Sequence, residues 1–154
     1  ERSPQYLHHV TSEIDRYVKR TRFEATFRRD IDESCEGADD LVALGFAALP
    51  ELLALHERRD CLRPSSVMHA ISQLAQLAYS EPALRRALEV AQDSSAGALE
   101  RRSAINTFMV LQRTGGPSVP PAIRESVIQC LENLAQDQNA DLRERAQLQL
   151  RLIR

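Results

Sequence analysis

The sequence predicts an all-α fold built from antiparallel helix pairs, and three observations carry that prediction. Ala, Leu, Arg, Glu and Gln, all good helix formers, dominate the composition. Apolar residues return at spacings of three and four in one run after another, the signature of an amphipathic helix. Nowhere does a run of alternating β-branched residues or an Asn-Gly hairpin turn compete with that pattern. Scarce aromatics (5%), the absence of Trp and only five Gly argue further against sandwiches and barrels.

The first helix starts at Ser3-Pro4, a cap followed by proline at the first helical position. Its stripe is Leu7, Val10, Ile14, Tyr17 or Val18, Thr21 and Ala25, and it is expected to span roughly residues 1–32. The acidic segment 33–40 reads as a loop. The next stretch, "LVALGFAALPELLAL" (41–55), is almost wholly apolar yet carries Gly45 and Pro50 in its interior. One continuous helix would cost about 1 kcal/mol at the glycine and about 3 kcal/mol at the proline. The stretch is therefore a joint: a short helix closed at Gly45, and a second one with Pro50 in its first turn, where a missing N–H is harmless.

Five further helices follow. Residues 64–79 place Val67, Ala70, Ile71, Leu74, Leu77 and Ala78 on one face. Ser80-Glu81-Pro82 repeats the cap-then-proline signal and opens a helix to about Gln92, with Leu84, Ala87, Leu88 and Ala91 inward. A run from Leu99 to Gln112 stops at Thr114-Gly115-Gly116-Pro117, where glycine permits a left-handed cap and proline forbids continuation. Pro120-Pro121 opens a helix with Ile123, Val127, Leu131 and Leu134 on its stripe. After 137–139 the last helix carries Leu142, Ala146, Leu150 and Ile153. The 154 residues are expected to form one all-helical domain.

Three segments share a crude internal pattern in which an Ala is followed four residues later by a large apolar residue: Ala70/Leu74, Ala104/Phe108 and Ala146/Leu150. Arg101 and Arg143 each stand three residues before their Ala, and Val67 takes that place in the first copy. The motifs "LVALGFAALPELLAL" and "DLRERAQLQL" resemble the helix junction and the second-helix signature of bacterial HEAT repeats. The resemblance covers about residues 39–154, or about three helix pairs. It implies a short α-solenoid with a ladder of Asp-to-Arg hydrogen bonds, met here as Asp137 with Arg143. The units are unevenly spaced, 34 residues from Ala70 to Ala104 and 42 from Ala104 to Ala146, so an irregular helical bundle is the alternative architecture.

Net charge is −2 and the pI about 6.1, so no whole-chain field points to nucleic acid or a membrane surface. No stretch approaches the ~18 consecutive apolar residues of a membrane span. Cys35, Cys61 and Cys130 are odd in number and lack metal-ligand spacing, which fits a reduced, intracellular setting with no metal or cofactor. Of the twenty basic residues only Lys19 is a lysine, as coding bias in a GC-rich genome produces.

Cys61 is the one weak catalytic candidate. Arg58, Arg59 and Arg63 surround it, a helix N-terminus follows, and His56 or His69 is available as a base, all features that favour a thiolate. No orienting acid or oxyanion hole accompanies it at recognisable spacing, so the reading leans away from an enzyme. Ser65 and Ser66 read as helix caps. His8 and His9 point about 100° apart on a helix and do not share an ion.

Basic clusters supply the candidate binding residues. They are Arg16, Lys19 and Arg20 on one face of the first helix, and the pairs Arg85-Arg86 and Arg101-Arg102, expected to be exposed. The resemblance implies a non-catalytic module that binds another protein or peptide as adaptor, scaffold or regulatory subunit. Nucleic-acid binding through the arginine patches is the alternative, weakened by the acidic pI and the lack of interleaved aromatics.

Overall fold

A computed structural model of the chain describes residue 42 and residues 45–57, 64–112 and 119–153. The first helix, the acidic loop, and Cys35 and Cys61 lie outside these residues. The described residues are all-α, without a strand: α1 (Leu49–Glu57), α2 (Pro64–Ala75), α3 (Glu81–Gln92), α4 (Ala98–Thr107), α5 (Pro121–Leu134) and α6 (Ala140–Ile153). Short 3-10 turns precede α1 (Phe46–Ala48) and follow α4 (Phe108–Gln112).

The described residues of the joint, 42 and 45–55, sit as its two breakers require. Val42 is helical, and Gly45 sits at φ 83°, ψ 179°, a region open to glycine and costly for other residues. Its N–H returns to the Val42 carbonyl at 2.9 Å, and Pro50 occupies the first turn of α1. The other starts are equally local. Ser80 accepts the Ala83 N–H on its hydroxyl (3.3 Å), and Asn139 accepts that of Leu142 (3.2 Å).

Consecutive helices pair as α1–α2, α3–α4 and α5–α6. The first members also meet each other, α1 against α3 and α3 against α5. The second members do the same, α2 against α4 and α4 against α6. The result is two layers with the core between them. Ala70, Leu74, Ala104, Phe108, Ala146 and Leu150, the repeating pairs of the sequence, are all buried there. Small Ala side chains let neighbouring helices approach, and the larger partner fills the space beside them. Phe108 and Leu74 are fully covered, each side chain contributing about 1.5–3 kcal/mol of apolar burial.

Helix ends are closed by side chains from neighbouring elements. Arg101 Nε donates to the Ala91 carbonyl in the last turn of α3 (3.1 Å), and Gln149 Nε2 to Ile105 in the last turn of α4 (2.8 Å). Arg124 Nη2 donates to the Ile153 carbonyl at the end of α6 (3.0 Å). Each donates to a carbonyl in the last turn of a helix, where intrahelical partners run out, and the Ile105 carbonyl also accepts the Phe108 N–H.

Three expectations need correction. The helix expected over 64–79 stops at Ala75, and Leu77, placed on its buried face, is 57% exposed. The chain has to reach an extended Ser80 (φ −137°, ψ 110°) before Pro82, which uses 76–80 as a reversing turn. The run to Gln112 leaves α geometry at Phe108 and finishes as a 3-10 turn. Ser65 and Ser66 do not precede α2 as caps. Pro64 takes the first helical position, so both serines stand in the first turn and Ser66 is buried.

Candidate interaction surfaces

Adjacent residues on a helix diverge by about 100°, so a basic pair cannot present both members equally. The structure sorts each expected pair accordingly. Arg85 is exposed and donates twice to Glu81 one turn earlier, at 2.9 and 2.6 Å. Arg86 is only 18% exposed, with Nε directed to His56 and Nη1 to Glu89 (2.9 Å each). Arg101 is 11% exposed and holds both the Ala91 carbonyl and the Asp137 carboxylate (3.2 Å). Arg102 is half-exposed and stands 4.0 Å from Asp141. Arg86 and Arg101 thus spend their guanidinium groups on internal acceptors. Arg85 and Arg102 face solvent from different layers, so they do not share a surface. Arg16, Lys19 and Arg20 lie outside the described residues.

The rung of the expected ladder also differs from its sequence reading. Asp137 gives its carboxylate to Arg101 of the preceding pair and to the Asn139 N–H (2.9 Å). Arg143 instead donates to the Asp137 main-chain carbonyl at 3.0 Å. A single loop aspartate therefore ties two successive pairs together.

His56 is fully buried with both ring nitrogens engaged. Arg86 Nε only donates, so the Nδ1 that it meets at 2.9 Å is the acceptor. The proton then sits on Nε2, which donates to Glu100 Oε1 at 2.9 Å. A cation on α3, an imidazole on α1 and a carboxylate in the first turn of α4 form one relay through the interior. This occupies the nitrogens that a base for Cys61 would need. No sequence signal marked Glu100 or Arg86 as its partners, because the three residues are 30 and 44 positions apart.

A groove of about 690 Å³ runs along α1 toward the start of α3. Phe46, Leu49, Pro50, Leu53, Ala54 and Pro82 line it, with Glu57 and Ser80 at its edge. Leu53, Glu57 and Pro82 also line a smaller depression that continues to Arg85, Arg86 and Glu89. The groove thus has an apolar floor and a charged end. A second, polar cavity of about 200 Å³ opens between α2 and α4.

Cys130 is buried on α5. Burial pushes its thiol up to about 11, against smaller opposing effects of a hydrogen bond from Gln92 and the nearby Arg101 charge. Among the described residues no group of three or more His, Cys, Asp or Glu side chains is placed to hold a metal ion. No helix among them is long and apolar enough to cross a membrane.

Fold and surfaces together define an all-α protein of helix pairs packed in two layers. Compared with family models, with curated proteins and with solved structures, the chain matches none of them.

Proposed function

We propose that the chain is a non-catalytic, intracellular protein-binding module, one all-helical domain of HEAT-like stacked pairs acting as an adaptor, scaffold or regulatory subunit. The observation that supports this most directly is the 690 Å³ groove along α1, an apolar floor on the outer side of a layered helical stack, continuing into the charged rim of α3. Stacked pairs supply a rigid, extended surface at little conformational cost on binding. The basic residues add less to a nucleic-acid reading than their number suggests, since Arg86 and Arg101 serve internal acceptors.

The test is affinity capture from the native lysate with mass spectrometry, comparing the wild-type chain with Leu53→Asp. Leu53 lines both depressions and is only partly buried, so the substitution alters the surface more than the core. A partner recovered by the wild type and lost with Leu53→Asp supports the reading. Capture unchanged by the substitution, or no specific partner at all, removes it. Retention of nucleic acid by the wild type at low salt would replace it with the arginine-based alternative.

A further inference from the structure

The relay through the interior opens to the surface at both ends. On the first layer, the Arg86 side chain lines a depression of about 150 Å³ together with Leu53, Glu57 and Glu89. On the second, Glu100 lines a cavity of about 460 Å³ at the starts of α2 and α4. His56 lies between them, itself fully buried. A proton can therefore reach the ring past either neighbour without the chain unfolding.

Each ring nitrogen has one role in this arrangement. Nε2–H donates to Glu100 and Nδ1 accepts from Arg86 Nε, at 2.9 Å each. When the ring takes a proton from solvent it becomes an imidazolium, and both nitrogens donate. Toward Glu100 nothing is lost, since the same Nε2–H then meets the carboxylate as part of a cation. Toward Arg86 the bond is gone, because two N–H donors and two positive charges face each other inside the protein. The guanidinium has a second anchor in place. Its Nη1 already donates to Glu89, whose side chain is 67% exposed, so Arg86 can swing outward on that pair. The other charged groups on the packed helices are engaged elsewhere. Among the described residues Arg85 is held by Glu81, Arg101 by Ala91 and Asp137, and Arg102 stands beside Asp141. The one titratable side chain of α2, His69, lines the polar cavity facing α4, and Glu51 and Glu57 of α1 are exposed.

We propose that His56 is a proton-operated latch on Arg86: the neutral ring holds the guanidinium inward, and the imidazolium releases it to the charged end of the α1 groove. With Arg86 turned inward, the outward charges of that depression are Glu57, Glu89 and an Arg85 already bound to Glu81. Release of Arg86 makes this end more positive, which favours a segment carrying a carboxylate over the same segment carrying a lysine. A partner of that kind then binds more tightly as pH falls. The latch is intramolecular and stands by itself; only its effect on a partner rests on the binding reading of the groove.

The experiment follows side-chain 15N and 13C resonances of the full chain by NMR from about pH 8 to about pH 5, the range in which imidazoles change charge. At the upper end His56 should carry its proton on Nε2 alone. As pH falls, Nδ1 should gain a proton while the amide spectrum stays that of the folded chain. In the same transition the Arg86 Nε and Cζ resonances should move to the positions of exposed arginines. Arg86→Gln removes the opposing charge and should carry the His56 transition to higher pH by about one unit, and Glu100→Gln should carry it lower. A proton gained at Nδ1 while the Arg86 resonances stay in place overturns the proposal. So does a transition unmoved by Arg86→Gln, or a His56 that stays neutral until the chain unfolds. No partner enters this assay, so its failure leaves the groove reading standing, and capture unaffected by Leu53→Asp leaves the latch standing.

Discussion

Arg101 on α4 reaches the carboxylate of Asp137, in the turn between α5 and α6, at 3.2 Å while its Nε holds the last turn of α3. One side chain thus ties its own pair internally and ties it to the next. Arg101→Ala is expected to cost about 2 kcal/mol, through the lost carbonyl cap as well as the ion pair. A double-mutant cycle with Asp137→Ala should show coupling of about 1 kcal/mol in urea unfolding. Arg101→Lys should recover less than half of the loss, because one ammonium cannot reach both acceptors in the planar geometry of the guanidinium. Full recovery by lysine would show that charge alone matters at this position.

The interior relay is expected to be more sensitive. His56→Ala opens a cavity and removes one partner each from Arg86 and Glu100, at about 3 kcal/mol. Glu100→Gln keeps an oxygen to accept from His56 Nε2–H and should cost closer to 1 kcal/mol. Equilibrium denaturation checks both. Equal losses from the two substitutions would mean that the carboxylate charge, rather than the hydrogen bond, holds the site together.

Cys130 makes stability fall in alkali. Its folded value near 11 stands above the ordinary 9.0, so between those pH values the folded chain holds a proton that the unfolded chain has released. The slope of unfolding free energy against pH is then negative. The contribution is fully present below about pH 9 and is lost as pH rises through about 11, amounting to roughly 2–3 kcal/mol at most. Comparing wild type with Cys130→Ala over that range isolates it from other groups. In the same vein, a thiol reagent at neutral pH should label Cys130 only after denaturant is added.

Gly45 carries the joint before α1. Among the described residues no atom lies within 4 Å of the position a Cβ would occupy, so Gly45→Ala tests the backbone. At φ 83° the alanine should cost about 2 kcal/mol. A thermal melt that does not move would show that the joint has a second, equally good backbone arrangement.

Local chemistry explains which features were legible in the sequence. Pro50, Ser80-Glu81-Pro82 and Pro121 mark helix starts within a residue or two of where they occur, because caps and prolines act on their own turn. The Ala70/Leu74, Ala104/Phe108 and Ala146/Leu150 pairs gave the core face for the same reason. Long-range polar pairing was not legible. Nothing in the spacing of His56, Arg86 and Glu100 marks them as neighbours, and Arg86 reads like Arg85 until the helix phase and the neighbouring layer are known. The polar cavity was hidden likewise, since Ser66 and Ser103 are ordinary helical serines until two helices bring them together.

Among the described residues, α3 and α4 are the helices with a neighbouring pair on either side. Their amides should be the slowest to exchange with deuterium, and the outer pairs should fray first. The polar cavity between α2 and α4 and the α1 groove both draw on the first pair. A ligand at either place would then be felt at the other as a change in opening frequency, without any rearrangement of the folded form.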